Sequence, residues 1–171
     1  MSSLITKGNA SGTGSVTLES PNTNSDFTIS LPAATGTAMV SGNMPAFSAY
    51  LSTGQSITQN TNTKVLFDTE LFDTNNNFAS SRFTPTVAGY YQVNLMIVGQ
   101  TATSFIQTAI FKNGSIYKYV GLSATSPYVL VSGLVYLNGS TDYIEGYAYI
   151  TGTNPLISTF SYFDACLVRA A

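Results

Sequence analysis

A chain of 171 residues with 44% hydrophobic but only 8% charged residues can bury a sizeable core, and it must draw its surface polarity from Thr, Ser, Asn and Gln. Its six basic residues, Lys7, Lys64, Arg82, Lys112, Lys118 and Arg169, are scattered and the net charge is −2, which excludes the clustered basic stripe that nucleic acid requires. The lack of any His removes the usual general base, the common metal ligand and every His-dependent nucleophile mechanism together.

The start, MSSLITKGNASGTGS, has neither the charged leader nor the apolar run of a secretory signal, and no later stretch approaches the roughly 20 apolar residues of a membrane span. The chain is therefore expected to stay, at first, in the cytoplasm where it is made, without membrane insertion. Residues 1–45 are rich in Gly, Ser, Thr and Asn. Two short alternating segments rise from them, Val16-Thr17-Leu18 and Phe27-Thr28-Ile29-Ser30-Leu31. Alternation makes one side of a strand apolar, and so short a segment needs another chain, most simply a second copy, to cover it. Ser41-Gly42-Asn43-Met44-Pro45 then reads as a hinge.

From Ala46 onward, β-branched and aromatic runs alternate with Gly, Asn, Asp and Pro. Strands are predicted near Phe47–Leu51, Lys64–Asp73, Arg82–Phe83, Gly89–Val98, Thr103–Lys112, Ile116–Leu122, Tyr128–Leu137, Asp142–Ile150 and Ile157–Val168, which describes a sandwich. Gly89 allows close backbone approach before a strand whose residues Tyr91, Val93, Leu95 and Ile97 belong inside. Asn113-Gly114 can supply both positive-φ residues of a type I′ turn, and Asn138-Gly139 is expected to repeat the device. The single Cys166 rules out an internal disulfide and is predicted to be a buried, inert thiol in the last strand.

Candidate chemistry is sparse. Hydrolysis of a glycosidic bond needs two carboxyl groups about 5–9.5 Å apart, for which Asp68, Glu70 and Asp73, or Asp142 and Glu145, are available; as strand-edge charges they need no catalytic role. Asp73, Asn75 and Asn77 occupy the first three ligand positions of a calcium loop and form a weak cation candidate. Phe78 and Thr84 stand where such a loop needs Gly and Glu, so a turn held by side-chain oxygens is the better account. Aromatics are more promising. In the strand from Tyr143 to Ile150, Tyr143, Glu145, Tyr147 and Tyr149 share one face, with Ile144, Gly146, Ala148 and Ile150 on the other. If the tyrosine face points outward it can pack on a neighbouring subunit or stack on sugar rings, and Tyr117, Tyr119, Tyr128 and Tyr136 pose the same choice.

Four blocks, in this order, carry a resemblance. They are Phe83-Thr84-Pro85-Thr86-Val87-Ala88-Gly89-Tyr90-Tyr91, Ala109-Ile110-Phe111-Lys112-Asn113-Gly114, Leu137-Asn138-Gly139-Ser140-Thr141-Asp142-Tyr143-Ile144 and Ser158-Thr159-Phe160-Ser161-Tyr162-Phe163. Together they resemble the globular head of complement component C1q, the family related to tumour necrosis factor. The pattern departs from that family at Ser140-Thr141, inserted before Asp142, and at Tyr162, where the family has Gly. The resemblance implies an all-β, ten-stranded jelly-roll sandwich over residues 46–171 that forms a homotrimer and uses no cofactor.

Residues 12–18 and 27–37 separately resemble the stretches that precede the receptor-binding tips of phage tail fibres. Stem and head together imply a non-enzymatic virion protein made in the host cytoplasm. In that reading residues 1–45 attach it to other virion proteins, and a trimeric fibre or tail-tip head presents a surface to host polysaccharide. A capsid decoration or head fibre is the alternative, and a polysaccharide-cleaving enzyme the second alternative.

Overall fold

The computed structural model describes residues 11–15, 17, 19, 22–26, 28, 39–40, 42, 44–100, 103–123 and 128–171. Val16, Leu18, Phe27, Ile29 and Leu31, the apolar positions of the expected N-terminal strands, lie outside the described residues. The chain divides into two units, Met1–Gly36 and Thr37–Ala171, and every strand of the described residues falls in the second.

In chain order these strands are β1 (Ala46–Tyr50), β2 (Gln55–Ser56), β3 (Thr63–Lys64), β4 (Thr69–Asp73), β5 (Phe78–Ala79), β6 (Arg82–Phe83), β7 (Ala88–Val98), β8 (Thr103–Lys112), β9 (Ser115–Ser123), β10 (Tyr128–Asn138), β11 (Ile144–Gly152), β12 (Leu156–Ile157) and β13 (Tyr162–Ala170). Eight have five residues or more and make the body of a jelly roll; the other five have two residues each and are accessories to it. One sheet runs β10-β7-β13-β1-β4, the other β5-β6-β11-β8-β9 with β3 added beside β11, and β12 pairs with β2. All pairings are antiparallel, and most spatial neighbours are far apart in sequence, so the chain repeatedly crosses from sheet to sheet.

Strict alternation in β7 sends Tyr91, Val93, Leu95 and Ile97 inward, each fully buried, as expected. Phe47 on β1 stacks on Phe78 at 4.5 Å and Phe83 at 4.6 Å and meets Phe163 edge-on at 5.0 Å, which ties both sheets to one aromatic centre. The buried Tyr91 hydroxyl donates to the Val87 carbonyl at 2.6 Å, so it enters the core with its polar end satisfied. Gly89 is required: an added Cβ would lie 2.3 Å from the Arg169 carbonyl oxygen.

The turns divide into foreseen and unforeseen. Asn113 and Gly114, at φ of 51° and 80°, join β8 to β9 as a two-residue hairpin with Lys112 opposite Ser115. Ser80 and Ser81 make the same kind of turn between β5 and β6, with φ of 52° and 56°, from residues that carry no such signal in sequence. Asn138-Gly139 does not repeat the device. Only Gly139 has positive φ; Asn138 Oδ1 accepts from the amides of Ser140, Thr141 and Asp142, forming a loop that carries the chain from β10 to the opposite sheet.

Three further expectations are corrected. The single strand Lys64–Asp73 is two, β3 and β4, in different sheets: Gln55 brackets the crossing by donating to Lys64 O and accepting from Leu66 N, while Val65 and Phe67 plug the core. Ile157–Val168 likewise splits into β12 and β13, because the Ser161 amide turns back onto the Ser158 carbonyl at 3.0 Å. Cys166 is exposed, since Phe163, Ala165 and Leu167 take the inward positions and parity sends it out.

Candidate functional site

Ile144, Gly146, Ala148 and Ile150 of β11 face the core, and an added Cβ on Gly146 would lie 2.8 Å from Leu95. The tyrosine face is therefore the outer one, but it is not bare. Tyr147 stacks on Phe111 at 3.8 Å, Tyr149 meets Phe105 edge-on at 6.1 Å, and the Arg82 guanidinium sits 3.9 Å from the centre of the Tyr143 ring. These neighbours leave all three tyrosines half-buried.

Glu145, the one acid in this row, is 3% exposed and carries two cations on a single oxygen. Lys64 Nζ from β3 and Arg82 Nε from β6 donate to its Oε1 at 2.7 and 2.8 Å. Burial pushes the Glu145 carboxyl up, but the hydrogen bonds and charges of Lys64 and Arg82 outweigh it and hold the group below its ordinary 4.5. Glu145 in turn raises the Arg82 guanidinium, chiefly through their hydrogen bond. Tyr147 is raised by burial and then by the Glu145 charge. Beside the cluster opens a cavity of 420 Å³ lined by Lys64, Asn76, Asn77, Ala79, Ser80, Arg82 and Thr84.

The remaining carboxylates are engaged locally. Asp68 lies just before β4 and accepts from both the amide and the hydroxyl of Ser52, at 2.7 and 2.6 Å, which lowers it; Glu70 is exposed on β4, an edge strand. Asp142 takes hydrogen bonds from Asn113 and Lys112 and falls below its usual value. At Asp73, Asn75 and Asn77 the side-chain oxygens serve the turn: Asp73 accepts from the amides of Asn75 and Phe78, Asn75 Oδ1 from the Thr74 hydroxyl, and Asn77 Oδ1 from the Thr86 amide. That is the turn account, with side-chain oxygens in the service of the chain's own donors.

Tyr117 and Tyr119, two apart in sequence, are parted by a register shift between Ile110 and Phe111 in the β8–β9 ladder. Tyr119 stands opposite Ala109 on the outer side, whereas the Tyr117 hydroxyl reaches β10 and donates to the Leu134 carbonyl at 3.2 Å. Strands β9 and β10 are the edges of their respective sheets. Along them Ile116, Tyr117, Tyr119, Val120, Leu122, Tyr128, Leu130, Leu134 and Tyr136 are all exposed by more than a third.

The outer face of the β10-β7-β13-β1-β4 sheet is sparsely charged, with Asp164 and Arg169 on β13. Leu130, Met96, Tyr162 and Tyr50 stand in cross-strand register, and the next row is Ser132, Asn94, Asp164 and Ser48. Asp164 accepts from the Ser48 hydroxyl at 2.6 Å and, among the described residues, has no ion-pair partner; burial raises its carboxyl above 3.8. Sequence reasoning passed over Asp164, Lys64 and Arg82. Phe83 inward places Arg82 outward, a parity signal that was available; the meeting of Lys64 with Glu145 was not.

No family model and no curated protein matches the chain. Solved structures do. Murine APRIL at pH 5.0 superposes with a TM-score of 0.58 at 12% identity, covering 73% of this chain and 99% of that one. The PRD1 vertex protein P5 gives 0.56 at 18% identity over 75% of this chain and 98% of its own. The globular domain of zebrafish complement 1qA protein gives 0.52 at 19% identity over 74% and 98%. At such identities the likeness speaks for architecture alone, and with the sheet order it shows that the chain has a C1q/tumour necrosis factor-like jelly-roll fold.

Proposed function

We propose that the chain is a non-enzymatic structural protein of a phage particle, a homotrimer whose head, residues 46–171, meets the host surface while residues 1–45 attach it to other virion proteins. The observation that carries this is the exposed apolar side chains along β9 and β10, the edge strands, beside the sparsely charged outer face of the adjoining sheet. Long, apolar strand edges are poorly tolerated unless something covers them. An edge and a face on one molecule form a heterologous pair, which closes into a ring when each copy lays its edge on the next copy's face. Sedimentation of the intact chain should give a trimer, shifted to monomer by Leu134→Asp. A monomer at micromolar concentration overturns the proposal.

The likeness to a PRD1 vertex protein supports a second placement, projecting from the shell rather than from the tail. Antibody to the head, imaged on virions, separates the two: label at the tail supports the first, label on the capsid the second. The non-enzymatic part is tested on host capsule. Release of reducing ends that disappears in Glu145→Gln or Glu70→Gln would defeat it.

A further inference from the structure

We propose that the cavity lined by Lys64 and Arg82 is a binding site for a carboxylated sugar, a uronic acid or similar residue within a surface polysaccharide. The choice of a saccharide rests on the host-surface reading; the anion preference rests on the cluster itself. Two cations share one oxygen of the buried Glu145, so the trio keeps an excess positive charge, and both cations line the cavity. On a chain of net charge −2 with six basic residues in all, this is a costly placement for a purely structural bridge.

The cations are also aimed. Arg82 is held by Nε to Glu145 and lies over the Tyr143 ring, two contacts that hold the guanidinium in place. Among the described residues its two terminal NH₂ groups have no partner, and they form the planar fork that suits a carboxylate. Lys64 Nζ donates to Glu145 Oε1 and, at 2.9 Å, to the Ser80 carbonyl, leaving one N–H for a ligand. Around them the rim is neutral and polar, with Asn76, Ser80 and Thr84 placed to meet hydroxyls. At 420 Å³ the cavity falls within the range of about 300–1,000 Å³ usual for ligand sites. Asn76 and Ser80, at φ of 53° and 52°, place two of its lining residues in left-handed backbone that non-glycine residues rarely adopt. A carboxylate brings a single negative charge, which the trio's excess neutralises; a phosphate dianion would exceed it.

The test is isothermal titration of the intact protein with glucuronate-containing oligosaccharides, their neutral glucose counterparts and inorganic phosphate. Glucuronate oligosaccharides should bind about tenfold more tightly than the neutral ones, a difference of about 1.4 kcal/mol. Affinity should fall with salt. Arg82→Lys keeps a cation for Glu145 but removes the fork and should reduce the preference; Thr84→Val removes one rim hydroxyl and should weaken binding about threefold. Equal affinity for charged and neutral sugars, tighter binding of phosphate, an unchanged preference in folded Arg82→Lys, or an unchanged affinity in folded Thr84→Val overturns the site. Attachment of the head to cells, competed by capsule, is read separately. Attachment competed only by neutral polysaccharide sinks this site and spares the host-surface reading, whereas glucuronate binding without attachment does the reverse.

Discussion

Glu145 lies on β11, the middle strand of one sheet, and Asp164 lies on β13, the middle strand of the other. Both point outward, yet their carboxyls move in opposite directions. Glu145 is nearly sealed and has Lys64 and Arg82 on it, so its charged form is favoured; among the described residues Asp164 has only the Ser48 hydroxyl, so burial wins and its charged form is disfavoured. One face has settled its charge within the monomer and keeps a cavity beside it. The other has an uncompensated acid amid Leu130, Met96, Tyr162 and Tyr50, and its finish depends on what covers it.

Glu145→Gln should have the largest effect, because it leaves two cations facing each other without their anion. A loss of about 2–3 kcal/mol is expected at neutral pH, below the full cost of a buried charge since Lys64 and Arg82 retain some solvent. The pH dependence follows from the sign. The folded carboxyl lies below 4.5, so its stabilisation is complete above that value and is lost as pH falls through the folded value. The gap between parent and variant in urea midpoints should thus close in acid; a constant gap would show that packing, not charge, was lost.

The next effect belongs to the opposite side. Leu134 is 49% exposed on the β10 edge, so Leu134→Asp should leave the unfolding midpoint close to the parent's while weakening self-association more than tenfold, about 1.4 kcal/mol. Dissociation curves from sedimentation read this directly. If Leu134→Asp unfolds the protein instead, the edge is core and the contrast between the two faces collapses.

How much of this was legible depends on range. The alternation in β7 and β11 set which residues turn inward, and Asn113-Gly114 marked its hairpin, since both are local rules. The Ser80-Ser81 turn was not visible, because its left-handed backbone is imposed by the pairing of β5 with β6 rather than by residue preference. Tyr117 and Tyr119 look equivalent in sequence, and one register shift sends them apart. The tyrosine face was identified as a unit, but what decides its chemistry came from Lys64 and Arg82, 81 and 63 residues from Glu145. Only the crossing of the chain between sheets brings those together.

Ser48→Lys sharpens the contrast by giving Asp164 the partner that Glu145 already has. The added ammonium should lower the Asp164 carboxyl and contribute up to about 1 kcal/mol to the monomer, while a long side chain in place of the small Ser48 should impair association by keeping a second copy off the face. Thermal melts and sedimentation on one sample should therefore move in opposite senses. A parallel loss of both would mean that Ser48 is needed for packing rather than for its hydroxyl.

The smallest effect is Asp164→Asn, and it has the sign opposite to Glu145→Gln. With its folded carboxyl raised, Asp164 adds stability only below 3.8, where it is protonated in both states, and that stability is lost as pH rises through the folded value. At neutral pH the charged form is therefore a cost. Asn keeps an oxygen for the Ser48 hydroxyl and removes the charge, so the variant should be more stable at neutral pH by less than about 1 kcal/mol, the solvent that reaches this half-buried site screening the rest. Below about pH 3.8 the two proteins should melt together. Burial of the face in an assembly would deepen the cost, so the neutral-pH gain should grow with protein concentration. A gain independent of concentration would place Asp164 outside the interface, and a loss at neutral pH would mean that a cation not yet identified pairs with it.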